Sequence, residues 1–113
     1  MAFAHEMVIC IVNAGYSEAV MKTARNAGAK GGTVILAKGT ANPEAETFFN
    51  ITIQPEKEMV IIVIPTALKK KILESLYKEV GLDTPGQGIA FSLPVDGVIG
   101  FAENKEEKKN NEK

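Results

Sequence analysis

The chain has 113 residues, 45% of them hydrophobic, with a formal net charge of −1, one cysteine and one histidine. That length supplies one compact domain with one core; two halves would each be too small to stand without disulfides or metals. The near-neutral charge argues against nucleic acid and against an anionic membrane surface as partners. No apolar run reaches the roughly 20 residues of a membrane span. The N-terminus lacks the basic and long apolar regions of a signal peptide, so a cytoplasmic protein is expected.

Met7 to Val12 is a continuous, largely β-branched apolar run and reads as a buried strand. Cys10 lies inside it and is expected to act as a small buried hydrophobe; a single cysteine also excludes a disulfide framework within the chain. His5 lies in the lead-in, and one His with one Cys cannot build a tetrahedral zinc site in a subunit. After Asn13-Ala14-Gly15, Ser17 is the candidate N-cap of a helix carrying Val20, Ala24 and Ala27, which Gly28 stops. A second strand runs from Thr33 to Ala37 and ends at Lys38-Gly39. Thr40 to Phe49 is polar and turn-rich and reads as a loop, while Ile51-Thr52-Ile53 alternates as a short edge strand.

Pro55-Glu56-Lys57-Glu58 reads as a turn before the strongest strand signal, Met59 to Ile64. Thr66 is the candidate N-cap of a second helix, whose Leu68, Ile72, Leu73, Leu76 and Val80 share one face and which ends at Gly81. A glycine-punctuated loop, residues 83–88, leads to a last strand over Ile89 to Leu93. Pro94 marks a bulge or an edge there, and a further extended piece is expected through Val98 and Ile99. Residues 103–113 contain only Glu, Lys and Asn, four acidic and four basic, and are expected to form a disordered tail after a 1–102 domain.

The order β-α-β-β-α-β is the α+β, ferredoxin-like sandwich pattern. Two helices can cover one face of a four-stranded sheet. The strands at Met7–Val12 and Met59–Ile64 are apolar at every position, so both faces call for burial. An uncovered second face would be a large apolar patch; association through that face is expected, the alternative being that the middle loop and the C-terminal segment fold over it.

On this frame the residues resemble the nitrogen-regulatory PII family. Gly28-Ala29-Lys30-Gly31-Gly32-Thr33 followed by Lys38-Gly39 is similar to the family's helix-to-strand junction and loop base. Ile64-Pro65 is similar to its strand end, and Gly86-Gln87-Gly88 before Ile89-Ala90-Phe91 to its glycine loop and last strand. The resemblance spans Met7 to about Ala102. It implies a homotrimer with an adenine-nucleotide site in each inter-subunit cleft, and a loop that reports occupancy to a protein partner. By position, Gly39 and Thr40 would lie beside the ligand at the loop base. Thr33, Val63 and Ile64 would border adenine and ribose. Gly86, Gln87 and Gly88 would present the glycine loop to phosphates, and Lys57 falls where the family places a phosphate-facing lysine. Independently of the family, close-spaced glycines let backbone N–H groups approach an anion, and a lysine adds a point charge.

The departures sharpen this. Ile89 stands where the family usually has lysine, and Gly100 and Ala102 stand where it places two arginines. Charge-assisted hydrogen bonds are roughly twice as strong as neutral ones, so AMP, ADP, a cyclic nucleotide or another small anion is expected ahead of ATP. The middle loop is short and lacks the family's modified tyrosine. Its Phe48-Phe49 pair is a candidate docking element or, equally, a cover that folds back over the sheet or a neighbouring subunit. In this the chain resembles the divergent PII-like proteins more than the nitrogen-control proteins themselves, and the resemblance implies regulation of a membrane transporter through the 40–54 loop.

Two alternatives compete. One is a metal-responsive or structural trimer like the divalent-cation-tolerance proteins. The other is an enzyme that slowly hydrolyses nucleotide. Glu44, Glu46, Glu56, Glu58 and Asp83 sit at spacings that define no acid–base pair and read as solvating charges, so no catalytic residue, metal ligand or required cofactor is assigned.

Overall fold

The computed structural model describes residues 3–40, 47–48, 51–52, 55–82 and 87–101. Strand β1 (His5–Asn13) leads to helix α1 (Ser17–Asn26) and strand β2 (Thr33–Lys38). The short strands β3 (Thr47–Phe48) and β4 (Ile51–Thr52) form a separate antiparallel pair. Strand β5 (Glu56–Pro65), a 3-10 turn over Thr66–Leu68, helix α2 (Lys69–Glu79) and strand β6 (Gly88–Val95) complete the order. The main sheet runs β2-β5-β1-β6, antiparallel throughout. This is the expected β-α-β-β-α-β arrangement, in which each helix crosses over one intervening strand. No helix among the described residues is long and apolar enough to cross a membrane.

The two strands that are apolar at every position, β1 and β5, are the two central ones. Alternation along them divides their side chains. Val8, Cys10, Val12, Val60, Ile62 and Ile64 point to the helices and are fully buried with Val20, Ala24, Ile72 and Leu76. Burial pushes the Cys10 thiol up to about 11, as expected for a cysteine packed as a hydrophobe. Met7, Ile9, Ile11, Met59, Ile61 and Val63 point to the other face and are half-buried. Their register partners Ile35, Ile89, Phe91 and Leu93 on the edge strands extend that apolar face and are exposed.

Several local expectations are corrected. Ser17 is the first helical residue of α1 rather than its N-cap, and Tyr16 in the cap position makes no side-chain cap bond. The carboxylate of Glu58, on β5, caps the helix instead. It accepts from Gly15 N at 2.8 Å and from Ser17 N at 3.1 Å. Thr66 likewise does not cap α2: its hydroxyl donates to Phe3 O and its N–H to Ala4 O, pinning the segment before β1. Pro55–Glu58 is not a turn, because Glu56, Lys57 and Glu58 already pair with Lys38, Ala37 and Leu36 of β2. His5 is the first residue of β1 rather than lead-in. Ile51 and Thr52 pair with β3 and not with the main sheet. No strand follows β6 among the described residues; Ile99 is fully exposed, and Phe101 returns to stack edge-on against His5 with ring centroids 4.7 Å apart.

Other expectations hold. Gly28, with φ +115°, closes α1 in a Schellman arrangement: Gly28 N donates to Arg25 O and Ala29 N to Ala24 O. Pro94 sits on β6, an edge strand bonded only to β1.

Candidate functional site

One end of the main sheet gathers the chemistry. Two register rows cross it: Ala37–Lys57–Asn13 on the open face, and Leu36–Glu58–Val12–Gly88 on the helical face. The consecutive residues Glu56, Lys57 and Glu58 grip the turn between β1 and α1 from both faces. Ala14 N donates to Glu56 O, the Lys57 ammonium donates to the Asn13 side-chain carbonyl, and Glu58 accepts from Gly15 and Ser17. The N–H groups of Ser17 and then Gly15 hold the Glu58 carboxyl below the usual carboxylate value.

Gly39 N donates to Pro55 O at 2.8 Å, which closes the base of the 40–54 segment. A Cβ at Gly39 would come within 3.0 Å of Lys57 Cε, so the lysine stem runs directly over this glycine. Beside it Ala14, Leu36, Ala37, Lys38, Glu56 and Lys57 line a cleft of about 250 Å³. Lys38 and Glu56 are register partners of opposite charge. With Lys38, Lys57 and Glu56 among them, the lining residues carry one net positive charge.

Across the sheet, a groove of about 470 Å³ lies between α2 and β6, lined by Leu73, Glu74, Tyr77, Lys78, Leu82 and residues 88–90. Gly88 is forced by packing as well as placed by this groove. A Cβ there would lie 2.4 Å from Ile11 O, so any side chain would push β6 off β1. Its neighbour Gln87 is half-buried.

Gly39, Thr40, Lys57, Gln87 and Gly88 thus come from the same end of the sheet, with Lys57 and Gly88 two strand spacings apart, about 10 Å. Val63 and Ile64 do not join them within one chain. They lie six and seven residues along β5 from Lys57, about 20 Å away or more. Val63 faces the open side, and the Ile64 side chain is fully buried under the helices. Thr33 lies between, on the β2 edge opposite Ile61. Gly86 and Phe49, and most of the 40–54 segment, lie outside the described residues, as does the 103–113 tail; the Phe48 backbone pairs with Ile51. Of the substituted cation positions, Ile89 is 58% exposed and Gly100 is exposed, with φ +82°. Among the described residues, no group of three or more His, Cys, Asp and Glu side chains is gathered.

Sequence reasoning missed Asn13 and Glu58 as partners at this end. Asn13 reads as a strand breaker and Glu58 as part of a turn. The available signal was the pair of polar residues Lys57-Glu58 abutting an all-apolar strand: their alternation sends one to each face.

A family model for nitrogen regulatory protein P-II matches residues 5–105. No curated protein matches the sequence. Among solved structures, the chain is similar to CPII, a nitrogen regulatory PII-like protein from Thiomonas intermedia K12 bound to ADP, AMP and bicarbonate. The TM-score is 0.65 at 16% identity, covering 88% of this chain and 98% of that one. It is also similar to a PII-like signaling protein from Thermus thermophilus, with a TM-score of 0.62 at 17% identity, covering 84% of this chain and 90% of that one. At these identities the two structures speak for the fold alone.

Proposed function

The chain belongs to the nitrogen regulatory protein P-II family, and from that premise we propose that it is a cytoplasmic homotrimeric sensor of a small anionic effector. Occupancy is passed through the 40–54 segment to a protein partner, a membrane transporter being the partner class the resemblance favours. The observation that carries this reading is Lys57. It stands over Gly39 at the closed base of that segment, beside a cleft whose lining carries one net positive charge.

The two clefts differ in kind, and so would their ligands. The cleft at Lys57, about 250 Å³, falls below the roughly 300–1,000 Å³ of ordinary small-molecule pockets; it suits a small oxyanion. The larger, mostly apolar groove beside Gly88 and Tyr77 suits a planar base, with the loop before Gly88 offering N–H groups to a phosphate. A nucleotide with a bicarbonate-sized anion is the combination bound by CPII. With Ile89, Gly100 and Ala102 in place of cations, AMP or ADP binds ahead of ATP.

A thermal-shift series with AMP, ADP, ATP, cyclic AMP and bicarbonate tests this. A ligand at 100 times its Kd adds about 2.7 kcal/mol of stability. The expected result is a shift with AMP or ADP, smaller with ATP, and a bicarbonate shift that Lys57→Met removes. No shift with any of them overturns the sensor reading.

A further inference from the structure

The Lys57 ammonium is already engaged without a ligand, and the group that engages it comes from the neighbouring strand of the same sheet row. Asn13 is the last residue of β1 and the direct register partner of Lys57. Its side-chain oxygen accepts from Lys57 Nζ. Both residues stand on the open face, both are half-buried, and the rows that follow on that face are apolar but for Thr33: Ile35–Met59–Ile11–Ile89, then Thr33–Ile61–Ile9–Phe91. A polar pair at the end of an apolar face is costly unless each group finds partners.

We propose that Asn13 is the positioning residue of the Lys57 anion site, holding the ammonium by its side-chain carbonyl so that a small oxyanion completes the pair.

The chemistry of the two groups makes this a support rather than a competitor. An ammonium has three donors and no acceptor. One is spent on Asn13, and among the described residues no other side chain takes the remaining two, which can serve an anion. The Asn13 amide turns its oxygen to the lysine, so its NH2 lies on the same side chain within a bond angle of that oxygen. It adds a second kind of donor next to the charge. An unheld lysine would surrender its rotamer freedom on binding, a large entropic cost for so long a side chain. Asn13 has imposed part of that order beforehand. The bond also ties the lysine to the turn that Glu56 and Glu58 grip, so the charge is referenced to the rigid end of the sheet rather than to the 40–54 segment.

The inference rests on the anion-binding reading above, and its test separates the two. Bicarbonate affinity is measured by calorimetry on the full chain for wild type, Lys57→Met, Asn13→Ala and Asn13→Asp, alongside the 1H–15N signal of the Lys57 ammonium. Asn13→Ala is expected to weaken bicarbonate roughly tenfold and to broaden the Lys57 signal by faster proton exchange, with melting temperature and oligomeric state kept. Asn13→Asp keeps the acceptor and the Lys57 signal but pairs the charge and repels the anion, so bicarbonate binding is lost. If Asn13→Ala binds bicarbonate as wild type does, the Asn13 inference alone is overturned. If wild type itself binds none and matches Lys57→Met, the anion site falls, and the inference falls with it.

Discussion

On one face of the sheet, Val8, Cys10, Val12, Val60, Ile62 and Ile64 are sealed beneath α1 and α2; on the other, Met7, Ile9, Ile11, Met59, Ile61 and Val63 remain half-exposed. The two sets interleave residue by residue along the same strands and have the same chemical character. What separates them is the number of helices. Two crossovers of the same hand place both helices on one side, and nothing among the described residues covers the other. The helical face therefore holds the subunit together, whereas the open face is available to hold subunits to one another. That division also positions the site, because Lys57 and Asn13 end the open face while Glu58 ends the helical one.

Truncating the sealed face should cost the molecule most. Ile62→Ala leaves a cavity against α1 and α2 and is expected to cost about 2–5 kcal/mol, measured by urea denaturation. A cost as small as a surface change would mean that the helices do not seal this face. The same operation on its neighbour should read out differently. Ile9→Lys places a charge at the centre of the open face, where the side chain is only half-buried. On the proposed trimer, the expected result is a folded protein that sediments as a monomer while the unsubstituted protein sediments as the assembly. A trimeric Ile9→Lys would remove the open face from the assembly.

Much of this was legible in the sequence because it depends on pattern. The continuous apolar runs at Met7–Val12 and Met59–Ile64 marked the central strands, and the count of helices against strands marked the uncovered face. Gly28 and Gly81 marked both helix ends. The contacts at the site were not legible, because each joins residues distant in sequence. Glu58 caps a helix 41 residues earlier, displacing the local choice of Ser17, and Thr66 bonds to Phe3 rather than to its own helix. Gly88 resembled a phosphate-binding glycine in sequence. The 2.4 Å approach of Ile11 O adds a packing reason that no local pattern contains. The candidate residues for adenine, Val63 and Ile64, matched a motif, but position along β5 sets them far from Lys57 within one chain; a shared site would need a second subunit.

Lys57 and Glu58 offer the finest version of the comparison, since they are consecutive and serve opposite faces. The Glu58 carboxyl titrates below its ordinary value of 4.5 because the Ser17 and Gly15 N–H groups bond to its charged form. A lowered folded-state value means that the stabilisation is fully present above 4.5 and is lost as pH falls from there through the lowered value. Glu58→Gln keeps a neutral acceptor in place and removes the charge. It is expected to be modestly less stable than wild type near neutral pH, and the gap should close as the medium is acidified below the carboxylate range, where wild type too presents a neutral group. Urea midpoints for both proteins across that range measure it. A gap that stays constant in acid would show that the charge of Glu58 does not hold the helix. Sedimentation should be unchanged in the same variant, because the apolar open face lies on the side of the sheet that Glu58 does not touch.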